Sequence, residues 1–146
     1  MDYRSYVLER SLGYKLFNAS RLINNRLNRK FKEKEFPVTH EQWQIMITLW
    51  EEDGQTQNRL ACSTQKDQPS ISRLIDNMIK RNLVTRLPHS KDRRTNLIYL
   101  TPEGREMQKG LIGQAQQTIA EASTGVDREE MKVCMRVLDK IIANLK

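Results

Sequence analysis

Between Ser5 and Lys34, apolar residues recur at steps of three or four, at Leu8, Leu12, Leu16, Ala19, Ile23, Leu27 and Phe31, with no proline among them. That period lays them on one stripe and predicts a single long amphipathic helix, ended by Pro37. At 1.5 Å per residue such a helix runs about 40 Å, more than a lean domain can cover, so part of its stripe is expected to meet another chain. Thr39 and Gln42 then have the spacing of a capping box. Trp43, Ile45, Met46, Leu49 and Trp50 follow as the inward face of a second helix, stopped at Asp53-Gly54.

A short helix fits Thr56 to about Ser63, with Thr56 as cap and Leu60 and Ala61 inward. After a few turn residues, Pro69 suits the first position of the next helix, where its missing N–H costs nothing, with Gln68 or Asp67 as cap. Ile71, Leu74, Ile75, Met78 and Ile79 form its inward stripe and leave Ser70, Ser72, Arg73, Asp76, Asn77 and Lys80 outward. Asn82 can end it, because asparagine tolerates the left-handed conformation that follows a helix. The β-branched, aromatic and aliphatic segments Val84–Pro88 and Asn96–Leu100 flank a polar, cationic stretch and predict a hairpin with a basic loop. Thr101-Pro102-Glu103 starts a helix expected to run to about Ala122. Asp127 with Glu130 caps a last one, whose seam is Met131, Cys134, Met135, Leu138, Ile141, Ile142 and Leu145.

The 146 residues match one domain, and 38% hydrophobic content predicts a lean core. No apolar run is long enough to span a bilayer, and the N-terminus alternates charged with apolar residues, unlike a secretory signal. The expected location is therefore the cytoplasm, with no membrane partner. Cys62 and Cys134 are expected as reduced thiols, and two separated cysteines with two separated histidines form no local metal site. No cofactor is expected. The net charge of +7 is uneven: residues 59–94 carry nine Lys/Arg against three Asp/Glu, beside residues 39–58 with four acids and no Lys or Arg. A basic segment of this kind suits a phosphate-facing surface, although a solvated cationic face has the same composition.

Helix, tight turn, polar-faced helix and basic hairpin is the order of a winged helix-turn-helix: a mostly α fold with a small β-hairpin wing, flanked by long terminal helices. In such a fold the second helix enters the DNA major groove. The candidate DNA contacts on that helix are Gln68, Ser70, Ser72, Arg73 and Asn77, of which Arg73 offers a bidentate fork for guanine or phosphate. Lys91, Arg93 and Arg94 in the hairpin loop would reach phosphates or a narrow minor groove. Taken alone, the Ile71–Ile79 stripe reads first as an ordinary core helix; the wing that follows it, with the spacing on to Gly104, reverses that preference.

The stretches VTHEQWQIMITLW, NRLA and ISRLIDNMIKRNLVTRLPHSKDRRTNLIYLTPEG resemble the MarR family of bacterial transcriptional regulators. The most specific residues are Leu83, Val84, Arg86, Asp92, Arg93, Arg94, Leu100, Thr101 and Gly104. The resemblance implies a homodimeric repressor on a pseudo-palindromic operator, associated with the nucleoid when bound. Its N- and C-terminal helices would interlock, with Leu8, Leu12, Leu16, Met135, Leu138 and Ile142 as dimerisation residues. It divides the chain into 1–36 and 105–146 for dimerisation and 37–104 for DNA. It pairs Asp92 with Arg94 inside the wing, and it implies a small aromatic or anionic effector, for which Tyr14, Phe17, His40 and Trp43 are candidates. Asn82 stands where the family often has glycine, and Thr64 and Lys66 where it is usually aliphatic. The other reading is a winged-helix interaction module that binds protein or RNA without reading DNA sequence. No Walker loop, G-x-S-x-G, H-E-x-x-H or G-x-G-x-x-G motif suggests an enzyme.

Overall fold

The computed structural model describes residues 3–92 and 94–146. Single 3₁₀ turns at Tyr3–Ser5 and Leu8–Arg10 precede helix α1, Leu12–Glu33. The long helix thus begins seven residues later than its periodicity predicts. Ser11 is the reason: its hydroxyl accepts from the Tyr14 amide at 3.4 Å and donates to the Leu8 carbonyl at 2.6 Å, so the chain turns at a cap. Upstream of the cap, Tyr3 and Tyr6 are 82% and 70% exposed, so these two rings add little burial to a longer helix.

Helix α2, His40–Glu51, carries the predicted capping box: Thr39 accepts from the Gln42 amide and Gln42 accepts from the Thr39 amide. Its fully buried face is Gln42, Ile45, Met46 and Leu49, while Trp43 and Trp50 are only half-buried, packed at the edge of the core. Strand β1, Gln55–Thr56, leads into α3, Gln57–Ser63, and α4 spans Gln68–Lys80. Asp67 caps α4, so Gln68 takes the first helical position and Pro69 the second, one later than predicted; proline is equally free of an intrahelical bond there. Asn82 adopts the left-handed conformation at φ 60° and ends the turn after α4.

Strands β2, Val84–Pro88, and β3, Asn96–Leu100, pair antiparallel with Val84 opposite Leu100 and Pro88 opposite Asn96. The two-residue strand β1 adds to the other side of β3, giving the order β1-β3-β2. The helix expected from Thr101 to Ala122 is two: α5, Pro102–Glu106, and α6, Gln108–Ala122, meeting at Met107, whose ψ of −12° departs from the helical repeat. Helix α7, Arg128–Leu145, starts with the Asp127–Glu130 capping box.

One core joins Leu27 and Phe31 of α1, Ile45, Met46 and Leu49 of α2, Leu60 of α3, Ile71, Ile75 and Met78 of α4, Ile98 of β3 and Leu111 of α6. The sheet locks onto α5 at Thr101. Its hydroxyl donates to the carbonyls of Asn82 at 2.7 Å and Leu83 at 3.1 Å and accepts from the Gly104 amide. Gly104 lies so close to the Leu83 carbonyl that a Cβ there would meet the oxygen at 2.4 Å.

The ends of the chain are different. Lys30 and Arg26 pair with Glu121 near the end of α6, and Ala19 and Leu22 line one depression with Ala122, so the first turns of α1 run on beyond the end of α6. Along that overhang Leu12 and Phe17 are 57% and 67% exposed, and α7 buries no residue at all in the single chain. Among the described residues no helix is long and apolar enough to cross a membrane.

Candidate nucleic-acid interface

The turn between α3 and α4 is built by backbone bonds. Thr64 Oγ1 donates to the Leu60 carbonyl, Gln65 takes the left-handed conformation at φ 55°, and the Lys66 amide returns to the Ala61 carbonyl at 2.9 Å. Lys66 spans from the turn to α2, where its Nζ donates to Glu41 Oε2 at 2.5 Å. That bond holds the Glu41 carboxyl below its usual range. Asp67 then accepts from the Ser70 amide at 2.7 Å, which lowers its own carboxyl likewise and fixes where α4 begins.

On α4, Gln68, Arg73 and Asn77 are exposed, and Ser70 and Ser72 half-buried. Gln68 Nε2 donates to Asn58 Oδ1 of α3 at 2.7 Å. Asp76 on the same outward face accepts from Arg86 Nη2 of β2 at 3.0 Å, and Arg86 also reaches Gln57 Oε1 at 3.5 Å. Arg86 is half-buried, and through these two bonds its guanidinium ties the strand, α3 and the outer face of α4 into one body. The alternation of β2 carries that signal: Arg86 is two residues from buried Val84 and shares its face, an inward cation that needs an acid. Asn58 gives no such signal in the sequence, since an asparagine on a short exposed helix is unremarkable.

The wing closes with the His89 amide on the Thr95 carbonyl at 2.8 Å. Asp92 Oδ1 accepts from the Arg94 backbone amide at 3.0 Å and Oδ2 from the Thr95 hydroxyl at 3.1 Å. The expected pairing of Asp92 with Arg94 is thus made to the main chain and not to the guanidinium, because an aspartate two residues upstream meets the amide first in a tight turn. Lys91 and Arg94 are exposed and, like Arg73, take no part in an ion pair among the described residues. Arg93 lies outside the described residues.

The effector candidates do not converge on one cavity of the single chain. Tyr14 and Phe17 stand exposed on the overhang of α1. His40 is tied to Asn28: its amide donates to Asn28 Oδ1 at 2.7 Å and its Nδ1 sits 3.1 Å from Asn28 Nδ2. Burial holds the imidazole below its usual pKa, and Lys66 adds to this against the opposing pull of Glu41. Trp43 packs at 6.3 Å from the Phe31 ring and lines an open depression of about 430 Å³ with Ile47, Thr48 and Thr64. Cys62 and Cys134 are both free and exposed.

The sequence model of the MarR family matches residues 38–95, the span from α2 through the wing. Transcriptional regulator PA3341 is 30% identical in its crystal structure, over 92% of this chain and 98% of that one, with a TM-score of 0.78. The protein belongs to the MarR family. MgrA of Staphylococcus aureus, an HTH-type transcriptional regulator, is 27% identical over 92% of this chain and 90% of its own length. BpsR of Bordetella bronchiseptica shares the fold at a TM-score of 0.84 and 20% identity, over 93% of this chain and 96% of that one. These matches extend the likeness from the MarR winged helix to the flanking helices α1, α6 and α7.

Proposed function

We propose that this MarR-family chain is a homodimeric repressor that reads a pseudo-palindromic stretch of double-stranded DNA and releases it when a small aromatic or anionic ligand binds. The observation that carries the reading is the set Arg73, Lys91 and Arg94, none of which joins an ion pair among the described residues, placed on a polar-faced helix and the wing that Arg86 ties to it. Exposed cations outside ion pairs suit phosphates, and Gln68, Ser70, Ser72 and Asn77 between them suit base edges. BpsR, which shares the fold, has its DNA binding regulated by 6-hydroxynicotinic acid.

The assignment extends to the ends of the chain. Residues 37–104 hold the DNA-facing side, and 1–36 with 105–146 the dimer. Leu8, Leu12, Leu16, Met135 and Ile142 are exposed in the single chain, and Leu138 lies on the same α7 seam. An 18-residue amphipathic helix with nothing buried needs a partner surface. The test is a salt titration of binding to duplex from the protein's own upstream region against a scrambled duplex, with the mass of the protein measured by light scattering. A dimer that prefers its own duplex by about a thousandfold or more, with affinity falling steeply with salt, is the expected result. Arg94→Ala, which removes one phosphate contact from each protomer, should lower the salt slope of the dimer by about two. Equal, weak binding to both duplexes would leave only a cationic surface and overturn the reading.

A further inference from the structure

Gln68 is the first helical residue of α4 and is exposed, and the N-terminal residues of a recognition helix are the ones that reach base edges. A glutamine amide on a freely rotating stem loses considerable entropy when it orders on a base. Here the stem is already held, because Nε2 donates to Asn58 Oδ1 at 2.7 Å. Asn58 is itself set by its helix: its neighbours Leu60 and Ala61 are buried, Gln57 receives Arg86, and Arg59 pairs with Glu52. The bond uses one of the two amide hydrogens of Gln68. What remains is one N–H donor beside one carbonyl acceptor.

We infer that Gln68 reads an adenine in the major groove, with Asn58 as the positioning residue that aims it. The inference rests on the DNA-binding reading proposed above. Among the bases, adenine presents an acceptor, N7, beside a donor, the N6 amino group, which is the complement of the pair that Gln68 has left. Guanine shows two acceptors there, so the Gln68 carbonyl would face the O6 oxygen. Cytosine offers only a donor, and thymine an acceptor beside a methyl group. The adjacent serines discriminate weakly, since a hydroxyl rotates to give or take a hydrogen bond. Selectivity at this base pair therefore falls to Gln68, and its sharpness to Asn58.

The experiment is selection of duplexes from a randomised library by the full-length protein, followed by sequencing, with Gln68→Ala, Asn58→Ala and Asn58→Asp run in parallel. The wild type should enrich sites with one invariant A·T pair in each half-site. Gln68→Ala should lose the preference at that pair alone. Asn58→Ala should blur the same position while the remaining positions stay as in the wild type, and Asn58→Asp, which keeps the acceptor, should retain it. A second measurement needs no variant fold: 7-deazaadenine at that position, which lacks the N7 acceptor, should weaken the wild type by roughly tenfold and leave Gln68→Ala unaffected. Enriched sites whose profile is unchanged by Gln68→Ala, or insensitive to 7-deazaadenine, would overturn the adenine contact while leaving the repressor reading intact. A profile unchanged by Asn58→Ala would overturn the positioning role. A wild type that enriches no sequence would remove both the inference and the reading beneath it.

Discussion

Replacing Gly104 by alanine is the sharpest probe of how the wing is fastened to the rest of the chain. The added Cβ would lie 2.4 Å from the Leu83 carbonyl oxygen and 3.3 Å from Leu100 Cδ2, and Gly104 is buried. The leucine methyl can yield, but the carbonyl is backbone and accepts from both the Thr101 amide at 3.0 Å and the Thr101 hydroxyl at 3.1 Å. Overpacking a filled site costs about 1–3 kcal/mol, and loosening one of those bonds about 1 kcal/mol more. Against this, alanine gains about 0.5–1 kcal/mol over glycine in a helix. The net expectation is a loss of about 2 kcal/mol, which for a chain of this length lowers Tm by about 4–8 °C. Gly113 on α6 is the control, since a Cβ there meets nothing within 4 Å. Gly113→Ala should keep only the helical gain and raise Tm slightly. Thermal unfolding followed by circular dichroism at one fixed protomer concentration reads both variants. If Gly104→Ala melts with the wild type or above it, the close approach of the Leu83 carbonyl is not a constraint and the reasoning fails.

Two further outcomes follow from the same contacts. Arg86→Ala should leave the Asp76 carboxylate unneutralised on the DNA-facing side of α4 and weaken duplex binding by about tenfold. Fluorescence anisotropy should show most of that loss recovered by adding Asp76→Asn, and no recovery would mean that Arg86 acts elsewhere. For His40, the folded state holds the imidazole proton less tightly than the unfolded state, so the unfolded chain binds more protons below its ordinary value. Stability should therefore be full above about pH 6.5 and fall as the pH drops toward and through the lowered value. Urea midpoints across that range should slope for the wild type and flatten for His40→Gln; parallel slopes would assign the effect to another group.

Local chemistry explains which elements could be read in advance. The Thr39–Gln42 and Asp127–Glu130 boxes, the hairpin around the basic loop and the left-handed Asn82 each depend on residues a few positions apart, and each stands where its spacing places it. The start of α1 is different, because the stripe continues through Leu8 and the Ser11 cap, with Tyr3 and Tyr6 exposed upstream of it, decides where the helix begins. Strand β1 has two residues and exists because β3 offers it an edge, which no local pattern announces. In the interface, the polar face of α4 is legible from its period. Its ties to Asn58 and Arg86 are each formed across 10 residues of chain, and Lys66 reaches across 25 to Glu41, so they depend on how the elements pack. The Asp92 bond to main chain was disguised by its neighbour: an aspartate two residues from an arginine suggests an ion pair, and the turn between them supplies an amide instead.

The junction at Thr101 also determines how any signal must travel. With the Leu83 carbonyl pressed against Gly104 and the Thr101 side chain bonded on both sides, α5 and the hairpin share a hinge without slack. A joint so closely packed leaves little room for bending, so a push that tilts α5 would be passed to the hairpin, and through the Arg86–Asp76 pair toward α4. The two reading heads of a dimer would then change their separation by rotating whole, each keeping its own chemistry for DNA. In the repressor proposed above, control would then lie in the distance between intact readers, and a variant that softens this joint should bind DNA and yet respond less to a ligand.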